Sequence, residues 1–357
     1  MRILHLDSGR DWRGGQQQLL YLLDYLGESG RATAAVCRAG SPLPDRLLAE
    51  GIPFHPWLAA GEGPARSIAR LEKAVAAFRP DLIHCHDARS ILPGLWVGRR
   101  RRKIVIAHRR VDFPVGRLAV LLKYRPLDAV IAVSQRIKDI LSAAGLSAAK
   151  TFVVPDGIDL ARFASVADPG RARARLGIPG TAFHVGSAGS LVDHKGHIYL
   201  LEAAARLIPA FPDLYFSIAG EGPLRRLLER RISELGLGKR FRLPGFTADM
   251  PAYFHSLDVY AHPSKLEGLG SAVIEAMACG RPVVAAASGG IPEIVLGHGI
   301  LVPPQDPEAL AGGLETLLRS PQDRASLAAH SLERAREFEY HATNSVLSAI
   351  YERLTAG

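Results

Sequence analysis

Residues 258–293 read DVYAHPSKLEGLGSAVIEAMACGRPVVAAASGGIPE, and the rest of the chain is organised around this stretch. The apolar run at 259–261 predicts a short strand, and the Pro, Ser and Gly residues after it predict a loop. A helix is predicted to begin near Ser271, because serine is a favourable N-cap residue. Strand, loop and helix in this order are typical of an α/β protein, where ligands bind at the carboxyl ends of strands.

Two glutamates flank this predicted helix start. Glu267 lies in the loop and Glu275 one turn into the helix, with Gly268 and Gly270 between them. Glycines let a ligand approach the backbone, and free N–H groups at a helix start bind phosphate or sugar oxygens. Carboxylates accept hydrogen bonds from hydroxyl groups, so the combination suits a sugar attached to a diphosphate. Ordinary chemistry at the start of a helix is the alternative interpretation.

Composition limits the class of protein. A chain of 357 residues with 48% hydrophobic content buries a large core and predicts about two domains. Three separated cysteines, Cys37, Cys85 and Cys279, form no C-x-x-C pair, which favours a reducing compartment over a disulfide framework. The chain has no run of about 18 uncharged apolar residues, and its start predicts a strand rather than a signal peptide. We therefore expect a cytoplasmic protein.

Positive charge is concentrated in the first half of the chain. Residues 1–165 contain 25 Lys and Arg against 15 Asp and Glu, a net charge of +10, whereas residues 166–357 have −1. This asymmetry predicts an anionic partner, such as a phosphorylated acceptor, an acidic membrane surface or nucleic acid. The densest cluster, RRRRK at 99–103, is alternatively a solvated turn. No helix-turn-helix, zinc-finger or RNA-binding aromatic signature accompanies the charge, which disfavours nucleic acid.

Apolar runs of strand length alternate with helix-length segments throughout the chain. In the first half, strands are predicted at residues 2–7, 33–36, 52–55, 82–86, 104–108, 129–133 and 152–154. In the second half they are predicted at residues 183–188, 215–219, 241–243, 259–261 and 299–302. This alternation predicts parallel sheets with helical crossovers, in domains at 1–165 and 166–340.

Histidines lie at the end of the strand predicted at 82–86. His84 and His86 share one face of that strand, so a metal pair is conceivable, but the sequence identifies no third ligand. We therefore predict no metal site. His86 and Asp87 are expected to line a cleft or to fix a neighbouring loop.

Basic residues follow the strand predicted at 104–108. His108 ends this strand, and Arg109 and Arg110, which come next, can bind an acceptor phosphate or carboxylate through their planar donor groups. A structural role for His108 is the alternative. The following segment, FPVGRLAVLLKY at 113–124, is either an interfacial membrane helix or a packed amphipathic helix, and the packed form is slightly favoured.

The spacing of Glu267 and Glu275, followed by EAMACGRPVVA and GGIPEIV, closely resembles the donor-binding segment of the family 4 retaining glycosyltransferases. The resemblance implies the GT-B fold, an α/β architecture of two Rossmann-like, doubly wound parallel-sheet domains that face each other across a cleft. Domain 1–165 would bind the acceptor, domain 166–340 would bind a nucleotide-sugar donor, and a last helix at about 341–357 would pack back on the first domain.

The resemblance covers most of the chain, because four motifs match in order: a glycine pair at 14–15, His108, Lys195 with Gly196, and the paired glutamates. By this resemblance the catalytic residues are Lys195, Glu267 and His108. The implied donor-binding residues are Gly15, Lys195, Gly220, Glu267, Gly268, Leu269, Gly270, Ser271 and Glu275. The predicted acceptor-binding residues are His86, Asp87, Arg109 and Arg110.

Two positions depart from the family pattern. Asp156 replaces an asparagine in PDGID at 155–159, and Ser190 occupies a position where the family often has an arginine. Lys195 and helix-terminal N–H groups would then carry most of the neutralisation of the diphosphate. The missing arginine makes a non-catalytic nucleotide-sugar-binding or membrane-scaffold protein one alternative, and a sugar-nucleotide epimerase or hydrolase is another.

The reaction implied by the resemblance is glycosyl transfer from a nucleoside-diphosphate sugar to an acceptor hydroxyl, with retention of anomeric configuration. No Asp-x-Asp metal motif is present, so neither a metal nor a cofactor is expected, and the donor is predicted to be UDP- or GDP-linked. The basic first half favours an anionic acceptor, such as a phosphorylated lipopolysaccharide core or a lipid-linked saccharide in the bacterial cell envelope. Peripheral contact with the inner face of the cytoplasmic membrane is a further expectation.

Overall fold

The computed structural model describes residues 1–57, 63–164 and 168–356. It divides into two compact units, one formed by Met1–Gly157 with Tyr340–Gly357 and the other by Ile158–Glu339. The boundary predicted between residues 165 and 166 lies outside the described residues. The division instead falls at Gly157, inside the PDGID turn.

The first unit is built on a seven-stranded parallel sheet. Its strands are β1 Arg2–Asp7, β2 Ala32–Arg38, β3 Phe54–Trp57, β4 Leu82–Cys85, β5 Ile104–Arg109, β6 Ala129–Ala132 and β7 Thr151–Val153. They lie in the order β3-β2-β1-β4-β5-β6-β7. The connecting helices are α1 Gly14–Glu28, α2 Pro42–Ala49, α3 Pro64–Phe78, α4 Ile91–Arg100, α5 Arg117–Ala119 and α6 Gln135–Ala143.

The second unit repeats this plan with six parallel strands. They are β8 Phe183–Ala188, β9 Leu214–Ala219, β10 Phe241–Gly245, β11 Val259–His262, β12 Val283–Ala286 and β13 Ile300–Val302, in the order β10-β9-β8-β11-β12-β13. Its helices are α7 Leu160–Ala164, α8 Pro169–Leu176, α9 His197–Leu207, α10 Arg225–Glu234, α11 Met250–His255, α12 Ser271–Ala278, α13 Ile291–Val295, α14 Pro307–Arg319 and α15 Pro321–Ala335.

Both sheets reverse their winding direction next to their first strand. The reversal lies between β1 and β4 in the first unit and between β8 and β11 in the second. The predicted pair of doubly wound parallel sheets is therefore confirmed. Ligands of such sheets bind outside the carboxyl ends of the strands at the reversal, so functional residues are expected there.

The last helix, α16 Tyr340–Thr355, belongs to the first unit. Its residues Leu347, Ile350 and Tyr351 are buried in one apolar cluster with Ile3 of β1 and Leu22 of α1. The Tyr351 hydroxyl also hydrogen-bonds to His84 Nδ1 over 2.7 Å. The end of the chain thus completes a core that the first strand begins.

Two local features of the first unit bear on the candidate residues. The glycine pair at 14–15 lies in the first turn of α1, because the helix begins at Gly14. The segment at 113–124 forms α5 and one π-helical turn, Val120–Tyr124. It packs through Val120 and Tyr124, whereas its leucines remain exposed. Within the described parts of the chain, no helix combines the length and apolar character needed to span a bilayer.

Candidate functional site

The Glu267 loop leads from β11 into α12, and its backbone requires glycine at the helix start. Gly270 precedes α12 with φ +103°, and a Cβ atom there would lie 2.5 Å from Ile291 Cδ1. Gly270 occupies the N-cap position and has no side chain with which to cap this helix. N–H groups at the start of a helix can bind an oxygen ligand.

Glu267 is the centre of a polar cluster. Its Oε2 atom accepts hydrogen bonds from Lys195 Nζ at 2.6 Å, His262 Nε2 at 2.9 Å and Ser264 Oγ at 3.2 Å. Burial alone would raise the pKa of Glu267, but Lys195 and His262 outweigh it and hold that pKa well below its usual range. The carboxylate is therefore ionised, and a charge-assisted network fixes its orientation.

Lys195 reaches Glu267 because two loops of the second unit touch. Gly196 follows Lys195 with φ +64°, and a Cβ atom there would lie 2.1 Å from the Pro263 carbonyl oxygen. The Lys265 amide also donates to the His194 carbonyl oxygen at 2.8 Å. The loop before α9 is thus held directly against the loop that carries Glu267.

Glu275 differs from Glu267 in its electrostatic surroundings. It lies in α12, partly buried. Burial raises its pKa to about 7, against a smaller opposing effect of Arg162. The two glutamates of the motif therefore differ in protonation near neutral pH, with Glu267 ionised and Glu275 close to its midpoint.

The loops after β8 and β9 are also packed backbone to backbone. Gly220 has φ +147°, and a Cβ atom on it would lie 1.9 Å from the Gly189 carbonyl oxygen. Leu191 N donates to the Glu221 carbonyl at 2.9 Å. Ser190, which replaces the family's arginine, is exposed and offers no positive charge at this place.

Candidate residues of the first unit gather around Arg110. Its guanidinium contacts Asp156 Oδ1 at 2.9 Å and His108 Nδ1 at 3.2 Å, and its Cδ lies 4.0 Å from the Cβ position of Gly15. Burial, and then the Arg110 charge, lower the pKa of His108, so this imidazole is neutral. Asp156, which replaces an asparagine of the family pattern, therefore pairs with Arg110.

His5 was not among the residues that the sequence singled out. Strand β1 pairs with β4 so that His5 lies opposite His84, and ligand nitrogens of His5, His84 and His86 fall within 4.8 Å of one another. His5 Nδ1 and His86 Nε2 are already hydrogen-bonded at 3.0 Å, as is His84 to Tyr351. Burial lowers the pKa of all three imidazoles. These contacts describe a neutral, hydrogen-bonded cluster, and the expectation of no metal stays a prediction.

Two of the predicted acceptor residues have structural partners. Asp87 accepts hydrogen bonds from the Ser8 amide at 2.7 Å and from the Ser8 hydroxyl at 2.6 Å, so it fixes a neighbouring loop. The Arg109 guanidinium is buried and donates to the Tyr124 hydroxyl and to the Phe113 carbonyl oxygen. Their contact with an acceptor stays a prediction, as does that of His86 and Arg110.

The chain is similar to known glycosyltransferases in sequence and in fold. Residues 170–334 match the family profile of glycosyl transferases group 1, and residues 12–162 match that of glycosyltransferase family 4. A D-inositol 3-phosphate glycosyltransferase of Saccharomonospora viridis is 31% identical over 91% of this chain and 84% of its own length. A lipopolysaccharide core mannosyltransferase of Rhizobium meliloti, LpsB, is 30% identical over 64% of this chain and 67% of its own length.

Among solved structures, Anabaena HepE in complex with UDP-glucose superposes with a TM-score of 0.90 at 25% identity, over 99% of this chain and 100% of that one. The fold and the paired loops therefore define a GT-B glycosyltransferase. The chain belongs to the family 4 glycosyltransferases. It spans only 54% to 57% of the length of three other D-inositol 3-phosphate glycosyltransferases that it matches.

Proposed function

We propose that this protein transfers a sugar from a nucleoside-diphosphate sugar to an acceptor hydroxyl, with retention of configuration and without a metal or cofactor. The observation that carries the proposal is the Lys195–Glu267–His262 cluster beside the start of α12. This arrangement offers a cation and the N–H groups of a helix start for a diphosphate, together with an ionised carboxylate for sugar hydroxyls.

The reaction breaks the bond between the anomeric carbon and the diphosphate and forms a bond from that carbon to the acceptor oxygen. Its transition state resembles an oxocarbenium ion, and charge grows on the departing phosphate oxygen. Lys195 and helix-terminal N–H groups stabilise that charge, which is worth several kcal/mol in a site without water. On the same face of the sugar, the departing phosphate oxygen takes the acceptor proton.

Each candidate residue then has a role. Glu267 accepts hydrogen bonds from the donor sugar, Glu275 accepts them from ribose hydroxyls, and Gly220 allows close approach of the nucleotide to the backbone. We assign His108 to the donor sugar, and Gly15, which lies in the first turn of α1, to the donor phosphates. Lys195 exchanges its contact with Glu267 for the diphosphate when the donor binds.

The donor is UDP- or GDP-linked, and UDP is favoured because the related Anabaena HepE was solved with UDP, with UDP and glucose, and with UDP-glucose. The acceptor is anionic or lipid-linked, since the first unit has a net charge of +10 and Arg110 lies beside His108. We place the activity in bacterial cell-envelope glycan synthesis, in contact with the inner face of the cytoplasmic membrane. A relative acts in lipopolysaccharide core biosynthesis, which supports this assignment.

A calorimetric titration with UDP, GDP and ADP and their sugar conjugates tests the proposal. We expect one nucleotide to bind, and Lys195→Met and Glu275→Ala to raise its Kd about 10- to 100-fold, because each removes a proposed hydrogen-bonding partner of the nucleotide. Lys239→Met, an exposed lysine of the same unit, is the matched control. Binding without sugar transfer to any acceptor would favour a non-catalytic scaffold, for which Ser190 is the motivating residue. Absence of binding to all three nucleotides would contradict the donor site.

A further inference from the structure

Exposed apolar side chains are concentrated in one segment of the first unit. Val111, Phe113, Leu118, Leu121 and Leu122 are each between 42% and 67% exposed. Single exposed leucines are ordinary on protein surfaces, whereas a contiguous group marks a contact site. This segment is also the one for which the sequence left interfacial and packed forms open.

The backbone holds the leucines outward. Helix α5 continues into the π-helical turn Val120–Tyr124, in which Val120 and Tyr124 face the core and are buried. Arg109 at the end of β5 ties the segment down at two points, because its guanidinium donates to the Phe113 carbonyl and to the Tyr124 hydroxyl. The exposed leucines therefore project from an anchored element.

Cations alternate with these leucines. Arg117, Lys123 and Arg125 lie in the same segment, and residues 113–127 contain no acidic side chain. Arg117 and Arg125 are exposed. Leucines that enter the boundary between headgroups and acyl chains, next to cations that meet lipid phosphates, are typical of interfacial membrane elements.

We propose that residues 111–125, here named the leucine–arginine segment, dock the first unit on an anionic lipid bilayer. The inference rests on the membrane contact proposed above and assigns it a surface. A second copy of the chain is less suited than a lipid bilayer to cover this segment. A two-fold interface through this segment would place Arg117, Lys123 and Arg125 against their own copies, and like charges repel.

Vesicle flotation of the full chain tests the apolar part of this surface. We expect binding to vesicles of phosphatidylcholine with phosphatidylglycerol, weaker binding as salt is raised, and little binding to phosphatidylcholine alone. Leu118→Gln with Leu122→Gln should lower the partition coefficient at least about tenfold, which corresponds to about 1.4 kcal/mol. Leu48→Gln with Val346→Gln, at 72% and 51% exposure in the same unit, is the matched control and should leave it unchanged.

A second pair of variants tests the charges. Arg117→Gln with Lys123→Gln should lower binding about tenfold or more, because each cation near an anionic surface contributes to attachment. Arg66→Gln with Lys73→Gln on α3 removes the same net charge from exposed positions elsewhere in the unit and should have a much smaller effect. Equal losses in the two pairs, or binding insensitive to anionic lipid, would overturn the inference.

Two further measurements separate the alternatives. In sedimentation velocity without vesicles, a dimer that the leucine variant dissociates, together with no vesicle binding, would assign the segment to a second copy and overturn the proposal. UDP titration of the same variants reports on the donor site, and we expect it to be unchanged. Vesicle binding without UDP binding would contradict the proposed donor alone, and UDP binding without vesicle binding would contradict the membrane surface alone.

Discussion

Glu267 and Glu275 belong to one motif but have opposite pKa shifts. Lys195 and His262 lower the pKa of Glu267 against the effect of burial, whereas burial raises the pKa of Glu275 and only Arg162 opposes it. A carboxylate with fixed charge suits a permanent acceptor of hydrogen bonds. A carboxyl group near its midpoint instead couples the protonation of the site to folding and to the ligand.

Folding stability should report the raised pKa of Glu275. The Glu275 carboxyl releases its proton near pH 4.5 in the unfolded chain and near pH 7 in the folded chain. The contribution of Glu275 to folding stability is therefore complete below about pH 4.5 and is lost as pH rises to about 7. As pH rises from 5 to 8, the free energy of unfolding of Glu275→Gln should increase relative to that of the wild type by about 2–3 kcal/mol. Urea denaturation at pH 5 and at pH 8 measures this change. Glu333→Gln, at an exposed position on α15, is the control and should show no such difference.

At the residue scale, the family resemblance named individual side chains, but the sequence did not show how they contact one another. Lys195 and Glu267 were both predicted, through the family resemblance, yet their contact joins loops 72 positions apart and no local pattern encodes it. His262 was missed, although its place at the end of β11 was the available signal. Asp156 was noted as a departure, and only the structure supplies its partner, Arg110.

At the element scale, periodicity predicted the regular structure well. Strands 2–7 and 183–188 were predicted to the residue, since their apolar runs are bounded clearly on both sides. At 113–124, the sequence did not decide which apolar residues would be buried. Val120 and Tyr124 are buried, whereas the three leucines are exposed, because burial depends on which neighbouring elements cover each face.

Contact between the Lys195 and Glu267 loops should depend on the absence of a side chain at Gly196. Gly196→Ala and Gly236→Ala place alanine at nearly equal positive φ, +64° and +68°, but only the former meets backbone, at the Pro263 carbonyl. Both should lose about 1 kcal/mol for the left-handed conformation, and Gly196→Ala a further 1–3 kcal/mol. Urea denaturation measures this difference. UDP affinity should fall in Gly196→Ala alone, and equal effects of the two variants would contradict the close loop contact.

At the scale of the whole molecule, one winding plan occurs twice along the chain. The repeat is not visible as a sequence repeat, because doubly wound sheets require only apolar strands and amphipathic crossovers in the right order. The extent of the first unit depends on a long-range contact, since α16 returns from the second unit to the core around Ile3. The sequence placed a helix there, and only the family resemblance indicated where it packs.

Helix α16 completes the first unit, although the other residues of that unit end more than 180 positions earlier in the chain. The buried residues of α16 should therefore contribute to the stability of the first unit. Leu347→Ala should lower the free energy of unfolding by about 2–5 kcal/mol, because Leu347 is 2% exposed and its removal leaves a cavity in the core. Val346→Ala on the same helix, where the side chain is 51% exposed, should change it by less than about 0.5 kcal/mol. Chemical denaturation measures both, and UDP titration should be unaffected, since Glu275 and Gly220, which we assign to the ribose and to the nucleotide, lie in the second unit. Comparable losses in the two variants would mean that α16 does not form part of this core in solution.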